Sequence, residues 1–167
     1  VRRALASALK DKAYAPPQVA AQLARDVERE VAEPILKYCV TIPDKDLIEI
    51  LKEANHEWVA RAIAKRLELS ADVSRAVIDR HKDFPKAGED LLKNQENKLD
   101  IPVLEHIIEK AKQLPQWHKP LAERKNLPAD MVTKISAFVS RRIQRKMLNN
   151  QEYDNETKKM IEATTER

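Results

Sequence analysis

Glycine is almost absent from this chain: Gly88 is the only one among 167 residues, and aromatic residues make up only 4%. All-β domains depend on glycine in tight turns and are enriched in aromatic residues on their strands. The same shortage rules out a glycine-rich loop of the kind that cradles phosphate groups. The composition therefore predicts an all-α protein that lacks such a nucleotide-binding loop.

Cysteine and long apolar runs are also scarce. Cys39 is the only cysteine, so an internal disulfide cannot form. No apolar run approaches the roughly 18 residues of a membrane-spanning helix, and no signal peptide is recognisable. We therefore expect a cytoplasmic protein with no membrane partner. Because the chain starts at Val1, it is also consistent with a fragment or a processed product that has lost a targeting segment.

Charge of both signs is plentiful, with 31 lysines and arginines against 27 aspartates and glutamates. The resulting net charge of +4 is a mild excess. Such an excess permits anionic partners without requiring them.

The sequence repeats a pattern of one helix, a tight corner and a second helix about five times. Each corner carries an apolar residue, and successive corners are 27 to 30 residues apart. The corner residues are Tyr14, Ile42, Leu69, Leu99 and Leu127. After each corner, apolar residues recur four or five and then eight or nine positions later. These pairs are Val19/Leu23, Leu47/Leu51, Val73/Val77, Val103/Ile107 and Met131/Ile135. A fixed period of this length is typical of an α-solenoid.

Helix-start signals follow the corners. Ser70 is a good N-cap residue, and Asp72 then falls in the first turn, where a carboxylate is favoured. Pro43 and Pro128 directly follow their corner residues. Proline fits the start of a helix, because an N–H in the first turn has no partner within the helix. In the fifth repeat, we predict that the second helix runs from Ala129 through to Leu148.

Five short segments resemble a bacterial family found mainly in alphaproteobacteria, domain of unknown function 2336. They are residues 23–26 (LARD), 31–36 (VAEPIL), 46–50 (DLIEI), 62–66 (AIAKR) and 69–73 (LSADV). The resemblance covers roughly residues 1–140 and departs from the family pattern at the widened corner of residues 94–99. It implies HEAT-like αα repeats and no assigned activity, so it carries over no catalytic residue.

These observations together predict a right-handed α-solenoid of about five HEAT-like αα-hairpin repeats. We expect it to occupy residues 1–148. Residues 149–167 are polar, and we expect a C-terminal tail or a short helix there.

No motif predicts catalysis, a metal or a cofactor. The histidines show no His-Glu-x-x-His or similar zinc spacing; they are His56, His81, His106 and His118. Cys39 has no Cys-x-x-Cys partner. A Cys–His pair assembled by the fold is the enzymatic alternative, and a small buried apolar cysteine is the simpler interpretation. We predict that the protein is not an enzyme.

Two binding functions fit the pattern. The first is a non-enzymatic scaffold for a protein partner in bacterial signalling or regulation, since solenoids offer long concave surfaces. The alternative is binding of nucleic acid or another anionic ligand along a basic edge and a basic C-terminal helix. The candidate contacts are Lys65, Arg66, Arg124, Lys125, Arg141, Arg142, Arg145 and Lys146. Cations at helix C-termini also have a purely electrostatic explanation, because they complement the helix dipole. Trp58 and Trp117 occupy similar repeat positions, which favours packing between repeats over contact with bases.

Overall fold

A computed structural model describes residues 16–165 of the chain. Every regular element within these residues is helical. The predicted all-α class is therefore confirmed. The chain divides into two units, Val1–Leu99 and Asp100–Arg167. The corner predicted at Tyr14, and the helix predicted before it, lie outside the described residues.

Six helices form the described part of unit 1, each 8 to 10 residues long. They are α1 (Pro17–Ala24), α2 (Arg29–Tyr38), α3 (Asp44–Glu53), α4 (Glu57–Ala64), α5 (Ala71–Asp79) and α6 (Pro85–Lys93). Every second helix packs together: α2 contacts α4, α4 contacts α6, and α3 contacts α5. Helix α1 packs on α2. Unit 1 thus contains two rows of helices with an apolar interior between them.

Unit 2 contains five α-helices and one 3-10 turn within its described residues. They are α7 (Ile101–Ala111), the 3-10 turn (Pro115–Trp117), α8 (His118–Ala122), α9 (Ala129–Ser136), α10 (Arg141–Leu148) and α11 (Asn155–Thr165). Helix α9 contacts α7, α8 and α11, while α10 contacts α8 and α11. Helix α9 is therefore the centre of this unit.

The predicted apolar pairs form much of the core. Nine of the ten side chains are buried, and Val19 is the exception at 36% exposed. Both members of a pair are buried together because positions i and i+4 lie on the same face of a helix. The predicted cap is also present, since the Ser70 hydroxyl accepts a hydrogen bond from the backbone N–H of Val73 at 3.2 Å.

Two local predictions need correction or completion. The predicted continuous helix from Ala129 to Leu148 is wrong: α9 ends at Ser136, and a new helix starts after Ser140, whose hydroxyl accepts from the N–H of Ile143 at 3.3 Å. Of the two forms expected for residues 149–167, a helix is present, and its Ile161 is fully buried.

Candidate binding surfaces

Arg66 follows helix α4 and points into unit 1 rather than toward solvent. Its side chain is 6% exposed, and its guanidinium donates hydrogen bonds to the backbone carbonyls of Leu36 and Cys39, at the end of α2. Burial lowers the pKa of Arg66 from its usual value, because desolvation disfavours the charged form. The prediction that placed Arg66 on an exposed basic edge is therefore wrong: its guanidinium satisfies carbonyls that have no partner within their own helix.

The same device occurs twice more in unit 1. Each donor follows one helix and reaches the end of the helix two elements earlier. Arg80, after α5, donates to the carbonyls of Leu51 (2.6 Å), Lys52 (3.1 Å) and Ala54 (3.0 Å). Asn94, after α6, donates to the carbonyls of Ala64 (3.1 Å) and Arg66 (2.6 Å). The three donors are 14 residues apart, half of the repeat period, so each stacked helix secures the end of its neighbour in the same row.

A groove lies where the corner after α2 meets the corner after α4. Its volume is about 620 Å³. Three apolar side chains at this groove are open to solvent: Leu67 is 73% exposed, Val40 58% and Tyr38 42%. Arg66 lines the same groove and joins both corners through its bonds to the end of α2. The groove is therefore an apolar surface held in place by a buried guanidinium.

The charged residues around this groove have mixed signs. Lys37 lies 5.0 Å from the centre of the Tyr38 ring, which places a cation beside the aromatic face. Asp44 and Glu68 line the groove as carboxylates. The groove thus offers an apolar centre with charges of both signs near it. The helical periodicity does not predict this groove, because Val40 and Leu67 lie in corners and belong to no helical period.

A second surface cluster surrounds Trp58 on α4. The Arg29 guanidinium lies 5.7 Å from the ring centre, and the His56 ring stacks at 6.4 Å and 13°. Arg29 forms an ion pair with Glu33, and this hydrogen bond lowers the pKa of the Glu33 carboxyl. Trp58 is half-buried and joins α2 to α4, as packing between repeats predicts. Trp117, by contrast, is fully buried in unit 2.

Cations cluster on helix α10 in unit 2. Arg141, Arg142, Arg145 and Lys146 are all exposed. Within residues 16–165, none of the four forms an ion pair with a carboxylate. The buried side of the helix is held by Gln144, whose amide nitrogen donates to the Ser136 carbonyl at 2.6 Å. The predicted basic helix therefore exists as an exposed positive surface.

The other predicted cations divide by burial. Arg124 is buried, and desolvation lowers its pKa. This burial corrects the prediction that Arg124 is part of an exposed edge. Lys65 in unit 1 and Lys125 in unit 2 are exposed, and Lys65 lies in the Trp58 cluster.

Two further findings concern metals and membranes. Between residues 16 and 165, no three His, Cys, Asp or Glu side chains meet in an arrangement suited to a metal ion. No helix of that range combines the length and apolar character needed to cross a bilayer. Cys39 is buried beside the Thr41 hydroxyl, with 3.3 Å between sulfur and oxygen.

Comparison with protein families finds a match over most of the chain. The model of a family described as "Uncharacterised protein conserved in bacteria (DUF2336)" matches residues 31–167. The match extends past the expected end near residue 140 and includes helix α11. No curated protein and no solved structure matches the chain.

Proposed function

The chain belongs to the DUF2336 family of bacterial proteins, and we propose that it is a non-enzymatic helical-repeat module that binds a protein partner through the groove of unit 1. The observation that carries this proposal is the group of exposed apolar side chains at Leu67, Val40 and Tyr38. Apolar groups gathered at one place on a surface mark sites of protein interaction more often than single exposed residues do.

The partner is a segment that inserts apolar side chains and has charges on either side of them. Apolar and aromatic residues at the centre of an interface supply most of the binding energy, while the polar rim excludes water. The groove has this arrangement, since Lys37 and Glu68 lie beside the apolar residues. Its open form suits an extended or helical segment of a protein.

The proposed architecture is a right-handed solenoid of HEAT-like helix pairs that acts in signalling or regulation in the bacterial cytoplasm. The packing of every second helix in unit 1 supports it. So does the repeated capping by Arg66, Arg80 and Asn94, because one side-chain role recurs at a constant interval. In such a stack each repeat contacts only its neighbours, and a corner groove is formed by two successive repeats.

Affinity capture from bacterial cells with three forms of the chain tests the groove. The forms are the wild type, Leu67→Glu in the groove, and Ile101→Glu as a matched control. Ile101 is 52% exposed, belongs to unit 2 and starts helix α7, where a glutamate suits the helix dipole. We expect the wild type and the control to capture at least one protein in common. The captured amount of that protein should be at least tenfold lower with Leu67→Glu. Equal capture by all three forms contradicts the proposal.

A second candidate function is binding of an anionic ligand by helix α10. The observation that favours it is the set of four exposed cations without carboxylate partners among the described residues. Charge reversal at Arg142 and Arg145 should abolish retention of the chain on a polyanion such as heparin. Unchanged retention excludes this candidate and leaves the groove proposal untouched.

A further inference from the structure

The charge around helix α10 extends beyond the helix itself. Between Lys119 and Lys146 seven lysines and arginines are exposed, one of which, Lys134, pairs with Glu105, and the stretch contains only two carboxylates. Lys119 of α8 and Lys146 of α10 line the same depression of about 280 Å³. Glu123 lines it as well and is the one carboxylate there. A positive surface thus covers α10 and one neighbouring helix of unit 2.

The cations on α10 separate onto two sides. Arg141 and Arg145 line one depression of about 300 Å³ together with Leu148. Lys146 lines the other with Lys119. Because a helix rises about 1.5 Å per residue, the four cations of α10 lie within about 8 Å along its axis. An extended polyanion can therefore contact several of them at once.

The apolar side of α10 is already used within unit 2. Met147 is buried and Gln144 is bonded to the Ser136 carbonyl. Helices that lie in a membrane surface need an apolar face free to enter the lipid. Protein hot spots likewise need an apolar or aromatic centre. Helix α10 has no large exposed hydrophobic residue, so its surface suits a ligand recognised through charge alone.

Among the described residues of unit 2, no Trp, Phe or Tyr side chain is exposed for stacking on a base. Trp117 is fully buried. Phe138 is half-buried and meets the His118 ring edge-on at 5.0 Å. Tyr153 is half-buried as well, with its hydroxyl inside the unit. Proteins that bind single strands rely on stacking of bases on aromatic side chains, and unit 2 exposes no such platform.

We propose that helix α10 binds the phosphate backbone of nucleic acid without reading its sequence. This inference rests on the second candidate function and names its ligand. Three of the four α10 cations are arginines. A planar guanidinium group can donate hydrogen bonds to two oxygens of one phosphate at the same time. Each of the four exposed cations can neutralise one phosphate, so we expect contact with about three or four phosphates of a duplex. The logarithm of the binding constant then falls with the logarithm of salt concentration with a slope of about −3.

Fluorescence anisotropy with labelled oligonucleotides tests the proposal. The probes are two DNA duplexes of unrelated sequence and one single strand, each titrated between 25 and 200 mM salt. We expect the two duplexes to bind within threefold of each other and with the slope given above. Arg142→Glu with Arg145→Glu should weaken binding at least tenfold and reduce the slope by about two. Both side chains are exposed, so circular dichroism should show an intact fold.

The matched control reverses two other lysines of unit 2. Lys158→Glu with Lys159→Glu, on α11, makes the same change in net charge and should alter affinity less than threefold. Equal losses in the two double variants overturn the proposal, because net charge alone would then explain binding. A preference of more than tenfold between the duplexes overturns it too.

Two further probes separate this inference from the candidate function beneath it. Heparin binding without nucleic-acid binding overturns the named ligand and keeps the anion site. Binding to phosphatidylserine vesicles as tight as to duplex DNA assigns the surface to acidic lipid instead. Failure to bind any of these polyanions overturns both the inference and the second candidate function.

Discussion

Arg66→Met should destabilise unit 1, because the Arg66 guanidinium satisfies backbone carbonyls inside this unit. The wild-type guanidinium donates to two carbonyls at the end of α2, Leu36 and Cys39. An unsatisfied buried group costs about 1–3 kcal/mol, so the two carbonyls together cost about 2–6 kcal/mol. Methionine needs no charge desolvation, and Arg66 already buries its Nε without a hydrogen-bond partner. We therefore expect a net loss of about 2–4 kcal/mol.

Urea unfolding followed by far-UV circular dichroism measures this loss. For a slope near 2 kcal/mol per molar urea, the midpoint should fall by about 1–2 M. Lys65→Met is the matched control, because Lys65 is adjacent and exposed, and it should change stability by less than about 0.5 kcal/mol. Arg66→Lys should lie between the two, since an ammonium lacks the fork that reaches two carbonyls. A stability of Arg66→Met equal to that of the control refutes the capping argument.

Three other predictions concern both units. Asn94→Ala removes the donor to the end of α4 and should lower the urea midpoint by an amount equivalent to about 1–3 kcal/mol; an unchanged midpoint contradicts this role. Ile161→Ala empties a fully buried position on α11 and should cost about 2–5 kcal/mol in the same assay, whereas Met160→Ala on the exposed side should cost far less; equal costs would show that α11 does not pack as described. Hydrogen bonds from Thr157 lower the pKa of the Asp154 carboxyl, so its contribution is present above the unfolded pKa and lost as pH falls through the folded one. The protection factors of amides at the start of α11, which compare exchange with that of an unfolded chain at the same pH, should therefore fall below that pKa in the wild type, and Asp154→Ala should show low protection at all pH values; identical profiles for the two proteins argue against this cap.

The helical periodicity predicted the core well. Leu47 with Leu51, and Val73 with Val77, are buried where their spacing placed them. These predictions succeed because burial of one helix face follows from positions within a single segment. Ser70 was predictable for the same reason, since an N-cap depends on local residues alone.

The direction of the Arg66 side chain could not be predicted from local sequence. A cation near a helix C-terminus fits the dipole of its own helix and equally fits the carbonyls of a neighbouring helix. Only the tertiary arrangement distinguishes the two, and here it turns the side chain inward. The interval of 14 residues from Arg66 to Arg80 and from Arg80 to Asn94 was the available signal.

The two candidate binding surfaces also differ in how far local sequence predicts them. The basic helix was predictable because its cations are adjacent in sequence, but its separation from α9 was missed, since apolar residues continue the helical pattern across the break. The Ser140 cap was the local signal for that break. The groove at Val40 and Leu67 could not be predicted, because two corners far apart in the sequence form it.

Hydrogen exchange of the full chain with its captured partner tests the central claim most directly. The claim is that a protein segment binds the groove between the corners after α2 and α4. We predict slowed exchange in residues 37–42 and 66–70 of the wild type, and no such slowing when Leu67→Glu is mixed with the same partner. Protection confined to other segments, or protection at these corners that survives Leu67→Glu, contradicts the claim.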